Sequence, residues 1–297
     1  MREVKIITDS SSDLTTELME RYSIDYALMN TVLEGKTSPA SLSWTKEEVH
    51  AFYGRMRNGQ RITTTQVPVE EFRRVFTKYL ADGQDIVYIA CSSKQSGSVN
   101  TARVVSEELL KDYPGASVYC VDSLNACLGE GALAIEAAKL AETGIGAEEV
   151  FKKVQAMRKR VNEYCTVHSL EFLRRAGRVK GPAAFFGNLM GVKPIIVADA
   201  DGAQAAFKKV KGRQASFREI VALLKESIVN PEEQTIYLAH ADCSEEEVEE
   251  LKALVKAEIP CKEIFVGYIG PIIGASIGPD AVALIGFGKE VTFRAAE

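Results

Sequence analysis

Short apolar runs alternate with amphipathic stretches through the first half of the chain. Residues 85–90, DIVYIA, are apolar and β-branched and predict a buried strand, and residues 97–113 carry apolar positions at helical spacing. Similar strand-helix pairs begin near residues 3 and 117, and residues 25–33 predict one further strand. This order predicts right-handed crossovers and a mainly parallel sheet with helices on both faces, a three-layer α/β/α arrangement.

The pattern changes after residues 147–164, which predict one amphipathic helix. Later segments mix strands and helices without the regular alternation of the first half, which predicts an α+β arrangement. We therefore expect two domains, residues 1–160 and 161–297, with a cleft between them. Residues 181–193 are small or apolar on nearly every side, so a helix there must be buried or must line an apolar space.

Length, charge and the lack of long apolar runs indicate a two-domain protein that neither binds nucleic acid nor spans a membrane. The chain has 297 residues, of which 46% are hydrophobic, so it is near the size at which one core divides into two. Its net charge of -5 gives no general attraction to nucleic acid. No apolar run reaches the roughly 18 to 20 residues that span a bilayer, and the N-terminus has no signal-peptide pattern. We therefore expect a cytoplasmic protein with no integral membrane association.

The spacing of potential metal ligands and one glycine-containing motif argue against disulfide-bonded, metal-binding and dinucleotide-binding proteins. The six cysteines are scattered without a C-x-x-C pair and mostly fall in apolar runs, which predicts reduced core thiols. No spacing of potential ligands indicates a metal site, so we expect neither a metal nor a cofactor. Residues 129–134, GEGALA, imitate a dinucleotide-binding turn but follow their strand by several residues. They predict close helix packing instead.

Three polar loops follow predicted strands of the parallel sheet, at residues 8–13, 91–98 and 121–131. Ligands in such sheets bind beyond the carboxyl ends of the strands, so the convergence of these loops predicts a binding site. In residues 91–98, CSSKQSGS, hydroxyls precede a helix N-terminus, whose free N–H groups and dipole favour a carboxylate or a phosphate. Plain N-capping by serine explains the same loop equally well.

A serine hydrolase is the main enzymatic alternative, with Ser96 or Ser93 as the nucleophile. The segment SKQSG is not the G-x-S-x-G turn on which many such nucleophiles sit. A small-molecule sensor that uses the same pocket is a third hypothesis. The candidate bases and orienting acids of the hydrolase are His168, His240, Asp242 and Asp122.

Seven sequence blocks carry a resemblance to a known family. In chain order they are ITDSSSDL, TTTQVPVEEF, SSKQSGSVNTA, VDSLNACLGEG, LEFLRRAGRV with GNLMGVKPII, HADC, and GPIIGASIGPDAV. Together they resemble the DegV family, bacterial fatty-acid-binding proteins that serve as the carrier subunit of fatty acid kinase. The resemblance implies one long-chain fatty acid bound in an interdomain cleft and presented to a separate ATP-dependent kinase, which makes acyl phosphate. It implies that this chain has no catalytic centre of its own.

The resemblance also implies where the ligand binds. Thr64 matches the first threonine of the family's T-S-Q-P block and Ser96 the third serine of its S-S-x-x-S-G block, and these hydroxyls would hold the carboxylate. The remaining headgroup residues would be Thr65, Ser93 and Ser276. The acyl tunnel would be lined by Phe185, Phe186, Leu189 and Met190.

Four positions of the matched blocks bear on headgroup geometry or on coupling to the kinase. Arg178 lies in the block that resembles the family's GGR and would contact the acyl phosphate or the kinase. Thr65 stands at the second position of the T-S-Q-P block and Val67 displaces its proline, a change that keeps the hydroxyls. Ser276 stands where the family usually has a histidine. A serine supplies one neutral donor, whereas an imidazole can also carry a positive charge.

Overall fold

The computed structural model describes residues 2–181 and 191–295. The strands in these ranges are β1 (Val4–Asp9), β2 (Asp25–Ala27), β3 (Asn30–Leu33), β4 (Lys36–Pro39), β5 (Ile62–Thr65), β6 (Asp85–Ala90), β7 (Val118–Asp122), β8 (Val161–Thr166), β9 (Val179–Lys180), β10 (Val192–Ala198), β11 (Gln204–Lys211), β12 (Thr235–His240), β13 (Glu263–Tyr268) and β14 (Val282–Phe287). The α-helices are α1 (Thr16–Arg21), α2 (Lys46–Arg57), α3 (Val69–Ala81), α4 (Ser98–Leu109), α5 (Cys127–Glu142), α6 (Ala147–Met157), α7 (Glu171–Ala176), α8 (Arg213–Ser227), α9 (Glu245–Glu258) and α10 (Pro271–Ile277).

The first part of the chain is built on a parallel sheet with strand order β2-β1-β6-β7. Helices α3 and α4 cover one face, where Ile86 and Tyr88 are buried, and α5 and α6 cover the other, where Val87 and Ile89 are buried. Alternate side chains of β6 thus enter two different cores, which explains why the run 85–90 is apolar throughout. The predicted α/β class and parallel sheet are confirmed.

The segment predicted as one strand over residues 25–33 divides between two sheets. β2 pairs with β1, whereas β3 pairs with β4 and β5 in a three-stranded antiparallel sheet. The chain changes sheets at Leu28 and Met29, whose N–H groups donate to the side chains of Glu71 and Ser10, each at 3.0 Å. These side chains replace the ladder bonds that a continuous strand would make.

Residues 161–287 contribute a seven-stranded mixed sheet in the order β13-β12-β14-β8-β10-β11-β9, separate from the parallel sheet. Helices α8 and α9 cover its outer face. The helix predicted over residues 147–164 was too long, because α6 ends at Met157 and β8 begins at Val161 after a 3-10 turn at Arg158–Arg160. Val161 and Cys165 are buried in the core that also contains α5. The predicted domain boundary near residue 160 stays a prediction.

Helix α5 is the layer that the two larger sheets share. It packs against β1 and β6 on one side and against β8, β12 and β14 on the other. The sheets approach it closely because small residues, among them Gly129 and Gly131, fill its first turns. A Cβ atom at Gly131 would lie 2.6 Å from the carbonyl oxygen of Ser12, a separation that real Cβ atoms do not adopt. The structure thus confirms the close packing predicted for residues 129–134.

Buried carboxyl groups lie where β1 and its following loop meet α5. The hydroxyl of Ser11 lies 2.5 Å from Asp9 Oδ1 and 2.8 Å from Glu130 Oε2, and Tyr88 donates to Asp9 Oδ2 at 2.6 Å. Burial raises the pKa of Asp9 and of Glu130, and it raises the pKa of Asp13 to about 8. Asp13, whose pKa is about 8, is therefore mostly protonated at neutral pH.

Substitution of Gly131 by alanine tests the packing of α5. We expect Gly131→Ala to destabilise the protein by about 1 to 3 kcal/mol, because the added methyl group must displace the backbone at Ser12. Gly54→Ala is the matched control, since Gly54 lies inside α2 and a methyl group there would meet no neighbouring atom within 4 Å. That change should stabilise by roughly 0.5 to 1 kcal/mol. Urea denaturation measures both, and equal effects would contradict the proposed constraint.

Substitution of Asp13 tests the buried carboxyl groups. Because the pKa of Asp13 is about 8 in the folded protein against an ordinary 3.8, the folded state retains a proton that the unfolded state releases between these values. Its contribution to stability is complete below pH 3.8 and is lost as the pH rises through about 8. Asp13→Asn should therefore flatten the fall in the free energy of unfolding between about pH 5 and 8. Asp82→Asn, at the exposed end of α3, is the control, and parallel curves for Asp13→Asn and wild type would refute the assignment.

Candidate functional site

A cavity of about 160 Å³ opens where the three sheets meet. Its walls come from β5, the loop after β6, the start of α5, helix α10, and strands β8, β11 and β14. Helix α10 and the residue two positions before it supply the aliphatic side chains Ile269, Ile272, Ile273 and Ile277. The cavity therefore combines an apolar wall with the polar loop at the carboxyl end of β6.

The loop after β6 presents hydroxyl groups at the start of α4. Ser96 Oγ lies 2.9 Å from Ser98 Oγ and accepts a hydrogen bond from the Ser98 N–H at 3.3 Å. Ser98 Oγ in turn accepts from the N–H of Val67, just after β5, at 3.2 Å. The N-cap residue of α4 is Gly97, which offers no side-chain cap. The Ser96 hydroxyl thus lines the cavity beside a helix N-terminus that is not conventionally capped.

Gln66 joins β5 to the same helix. Its Nε2 donates to Thr101 Oγ1 on α4 at 2.9 Å. Its Oε1 lies so close to Gly97 that a Cβ atom there would be 2.1 Å away. Together with the Val67–Ser98 bond, this contact fixes the spacing between Thr64 on β5 and the loop after β6.

A second cavity of about 240 Å³ adjoins the first and shares Thr64, Arg178 and Ser276 with it. Three arginines line it, namely Arg61, Arg175 and Arg178. Arg178 is exposed and donates through Nε to the carbonyl oxygen of Gln95 at 3.3 Å and through Nη1 to that of Ala176. We call this second cavity the basic vestibule. Its three arginines are exposed, so it lies at the protein surface beside the first cavity.

The structure brings most of the predicted headgroup residues together. Those that line the first cavity are Thr64, Thr65, Ser96 and Ser276, and Arg178 lines it as well. Ser93 does not, because it is exposed and its N–H donates to Asp122 Oδ1 at 3.2 Å. Their roles in binding stay predictions. The predicted tunnel residues Phe185, Phe186, Leu189 and Met190 lie outside the described residues.

The residues considered for a hydrolase are not assembled at Ser96. Neither His168, which is exposed, nor His240 is among the described residues that line the cavity. Burial lowers the pKa of His240 to about 4, and its Nδ1 accepts from a main-chain N–H. Asp242 is bound by Arg57 at 2.6 Å. Within the described ranges, no histidine is thus placed to take a proton from the Ser96 hydroxyl.

Four polar residues of the cavity were not predicted from the sequence. Gln66 and Gln95 flank the predicted hydroxyls, so their adjacency was an available signal. Glu163 and Gln204 lie on β8 and β11, outside the three polar loops that the sequence analysis identified. Burial raises the pKa of Glu163 to about 7, and Gln204 Nε2 donates to its Oε1 at 3.1 Å. Only the folded arrangement of the strands reveals this pair.

Metal and membrane features can be judged across residues 2–181 and 191–295. In that part of the chain no group of His, Cys, Asp and Glu side chains is arranged to hold a metal ion. None of its helices is both long enough and apolar enough to cross a bilayer. All six cysteines fall within it and are unpaired, and Cys261 alone among them is not fully buried.

Relatives in sequence cover nearly the whole length of the chain. A family model described as an uncharacterised protein of the DegV family matches residues 3–289. A DegV domain-containing protein of Clostridium perfringens is 35% identical over 292 residues, which are 98% of this chain and 100% of that protein. Another, from Caldanaerobacter subterraneus, is 30% identical and covers 96% of this chain and 98% of its own.

Solved structures with the same fold include proteins described by their ligand. A DegV lipid-binding protein from Thermotoga maritima superposes with a TM-score of 0.83 at 29% identity, covering 98% of this chain and all of its own. A fatty-acid-binding DegV family protein from Thermus thermophilus has a TM-score of 0.85 at 26% identity and covers 97% of this chain and all of its own. The match over residues 3–289, the full-length relatives and the shared fold agree, and this chain belongs to the DegV family.

Proposed function

We propose that this protein binds a long-chain fatty acid in the cavity between its sheets, with the carboxylate held by Thr64 and Ser96. The observation that carries the proposal is that both residues line one cavity whose α10 wall is aliphatic. The N-terminus of α4 adds a favourable potential for the carboxylate. Binding of fatty acids by related structures from Thermus thermophilus and Bacillus subtilis supports the same ligand.

The energetics favour a long chain. Each methylene group removed from water contributes about 0.8 kcal/mol, so a chain of many methylenes gains far more from an apolar cavity than a short acid does. Hydrogen bonds from hydroxyls then fix the end that must remain polar. Ser276 and Thr65 supply further hydroxyls in the same lining. The ligand is therefore oriented with its carboxylate toward the basic vestibule.

The finer proposal concerns the fate of the bound acid. We propose that the protein is a cytoplasmic carrier without a catalytic centre, and that a separate fatty acid kinase phosphorylates the carboxylate to acyl phosphate for phospholipid metabolism. The basic vestibule supports this role, because Arg61 and Arg178 place positive charge beside the proposed headgroup position, whereas Arg175 pairs with Glu171. Arg178 touches both cavities and is the proposed contact for phosphate or kinase.

We also propose that residues 1–160 bind the headgroup and that residues 161–297 contact the acyl chain. The first segment carries Thr64, Ser96 and their hydrogen-bonded supports. The second supplies the aliphatic residues of α10 and the strands β8, β11 and β14. The cleft between them would hold the acyl chain.

Removal of the two hydroxyls tests the headgroup. After delipidation, Thr64→Ala and Ser96→Ala should each weaken binding of palmitate or oleate by about 1.5 to 3 kcal/mol, because each loses a hydrogen bond to a charged group. The methyl esters should be nearly insensitive to both changes. Thr63→Ala is the matched control, since Thr63 is on the same strand and lines only the vestibule. Calorimetric titration that detects no binding of either acid to wild type would refute the carrier function, and equal losses for acid and ester would reduce both hydroxyls to structural caps.

Replacement of Arg178 tests the coupling to a kinase. At saturating fatty acid, Arg178→Ala should lower acyl phosphate formation by a fatty acid kinase with ATP at least tenfold, since it removes a charge-assisted contact at the vestibule. Arg174→Ala is the control, because Arg174 is exposed on helix α7 nearby and lines neither described cavity. The assay follows acyl phosphate directly. An unchanged rate for Arg178→Ala would remove this residue from the proposed interface.

A further inference from the structure

A buried polar pair spans three strands of the mixed sheet. Gln204 on β11 pairs with Ala198 on β10, and the β10–β8 register continued by one residue places Glu163 on the other side of Ala198. Because alanine is small, the two long side chains meet above it, and Gln204 Nε2 donates to Glu163 Oε1 at 3.1 Å. Both residues line the same cavity as Thr64 and Ser96.

This pair is incompletely satisfied. Glu163 is 6% exposed, and its Oε2 atom has no hydrogen-bond partner among the described residues. Folded proteins almost always provide a partner for a buried polar oxygen, whether protein, water or ligand. The cavity lining also holds polar side chains, among them Gln95, Ser96 and Ser276, but none of them is a hydrogen-bond partner of this atom. The unpaired oxygen thus belongs to a side chain that lines the cavity which the proposed acyl chain would enter.

We propose that Glu163 and Gln204 form a second polar subsite, which selects fatty acids that carry a hydroxyl group on the chain. This inference rests on the proposed function and adds the substrate class. A hydroxyl is the matching group because it can donate to an ionised carboxylate and accept from a protonated carboxyl. A second carboxylate on the ligand would meet the like charge of an ionised Glu163. An unsubstituted chain would leave Oε2 without a partner.

The protonation of Glu163 is consistent with this subsite. Burial raises its pKa to about 7, while the hydrogen bond from Gln204 acts in the opposite direction. Both forms of the side chain are therefore present near neutral pH. Since a hydroxyl serves either form, the selectivity does not require one particular pH.

The experiment compares octadecanoic acid with a series of monohydroxy octadecanoic acids that differ only in the position of the hydroxyl. Delipidated wild-type protein is titrated with each acid. One position should match the subsite and bind at least tenfold more tightly than the other isomers, since a misplaced hydroxyl is buried without a partner. Glu163→Leu should abolish this positional preference and bind octadecanoic acid at least as tightly as wild type does. Glu163→Gln should retain a preference, because an amide still donates and accepts.

The outcomes separate the subsite from the function on which it rests. If octadecanoic acid binds but all hydroxy isomers bind alike, or if the preference survives in Glu163→Leu, the subsite is refuted and the carrier function stands. If wild type binds none of the acids, both are refuted. Thermal melting checks that Glu163→Leu folds. Should it not fold, Gln204→Met provides the second test, since loss of the amide should weaken the positional preference and an unchanged preference would overturn the proposal.

Discussion

The close contact between helix α5 and the loop after β1 sets the geometry of the whole molecule. One helix separates the parallel sheet from the mixed sheet, and the carbonyl oxygen of Ser12 lies where a side chain at position 131 would have to be. The close approach of α5 to the loop after β1 therefore depends on the absence of a side chain at position 131. The first residue of α5 and the residue before it, Cys127 and Ala126, form part of the cavity wall. Because the same helix start joins both sheets and borders the cavity, the width of the binding site follows from this packing.

The polar core around β1 supports that arrangement. Asp9 accepts a hydrogen bond from the Tyr88 hydroxyl. The Ser11 hydroxyl lies within hydrogen-bond distance of both Asp9 and Glu130 on α5. Buried networks of this kind are stable only when their members are satisfied, and they then hold the connected elements in one arrangement. Burial raises the pKa of Asp9 and of Glu130 and so disfavours their charged forms. The loop of residues 8–13 thus holds α5 in place through these contacts, although its sequence had predicted part of a ligand site.

Local sequence signals predict the polar end of the cavity but not its far wall. The run 85–90 and the serines after it predict a strand, a turn and a helix start, and these place Ser96 correctly. Residues Val150, Val154, Met157 and Val161 continue one helical spacing, although the last belongs to β8. A polar residue, Glu163, occupies the inward position that an apolar residue would mark in an alternating strand. Glu163 breaks the apolar alternation expected of a half-buried strand, and such exceptions are typical of ligand sites. The small antiparallel sheet could not be predicted from local sequence either, because the change of sheet at residues 28–29 depends on partners distant in sequence. Periodicity gave no reason to select Thr64 on β5, which was named only through the family resemblance.

On the proposed function, the type of donor at the headgroup determines what the bound acid can do. Neutral hydroxyls orient a carboxylate without cancelling its charge, whereas a bidentate arginine would pair with both oxygens. Arg175 in the vestibule already pairs with Glu171, but Arg178 contacts main-chain carbonyls and no described carboxylate pairs with it. Its charge is therefore available to a group that arrives from outside. A carboxylate that keeps its charge and a nearby guanidinium without a carboxylate partner suit phosphoryl transfer from a separate kinase, because the guanidinium can bind the negative charge of the incoming phosphoryl group.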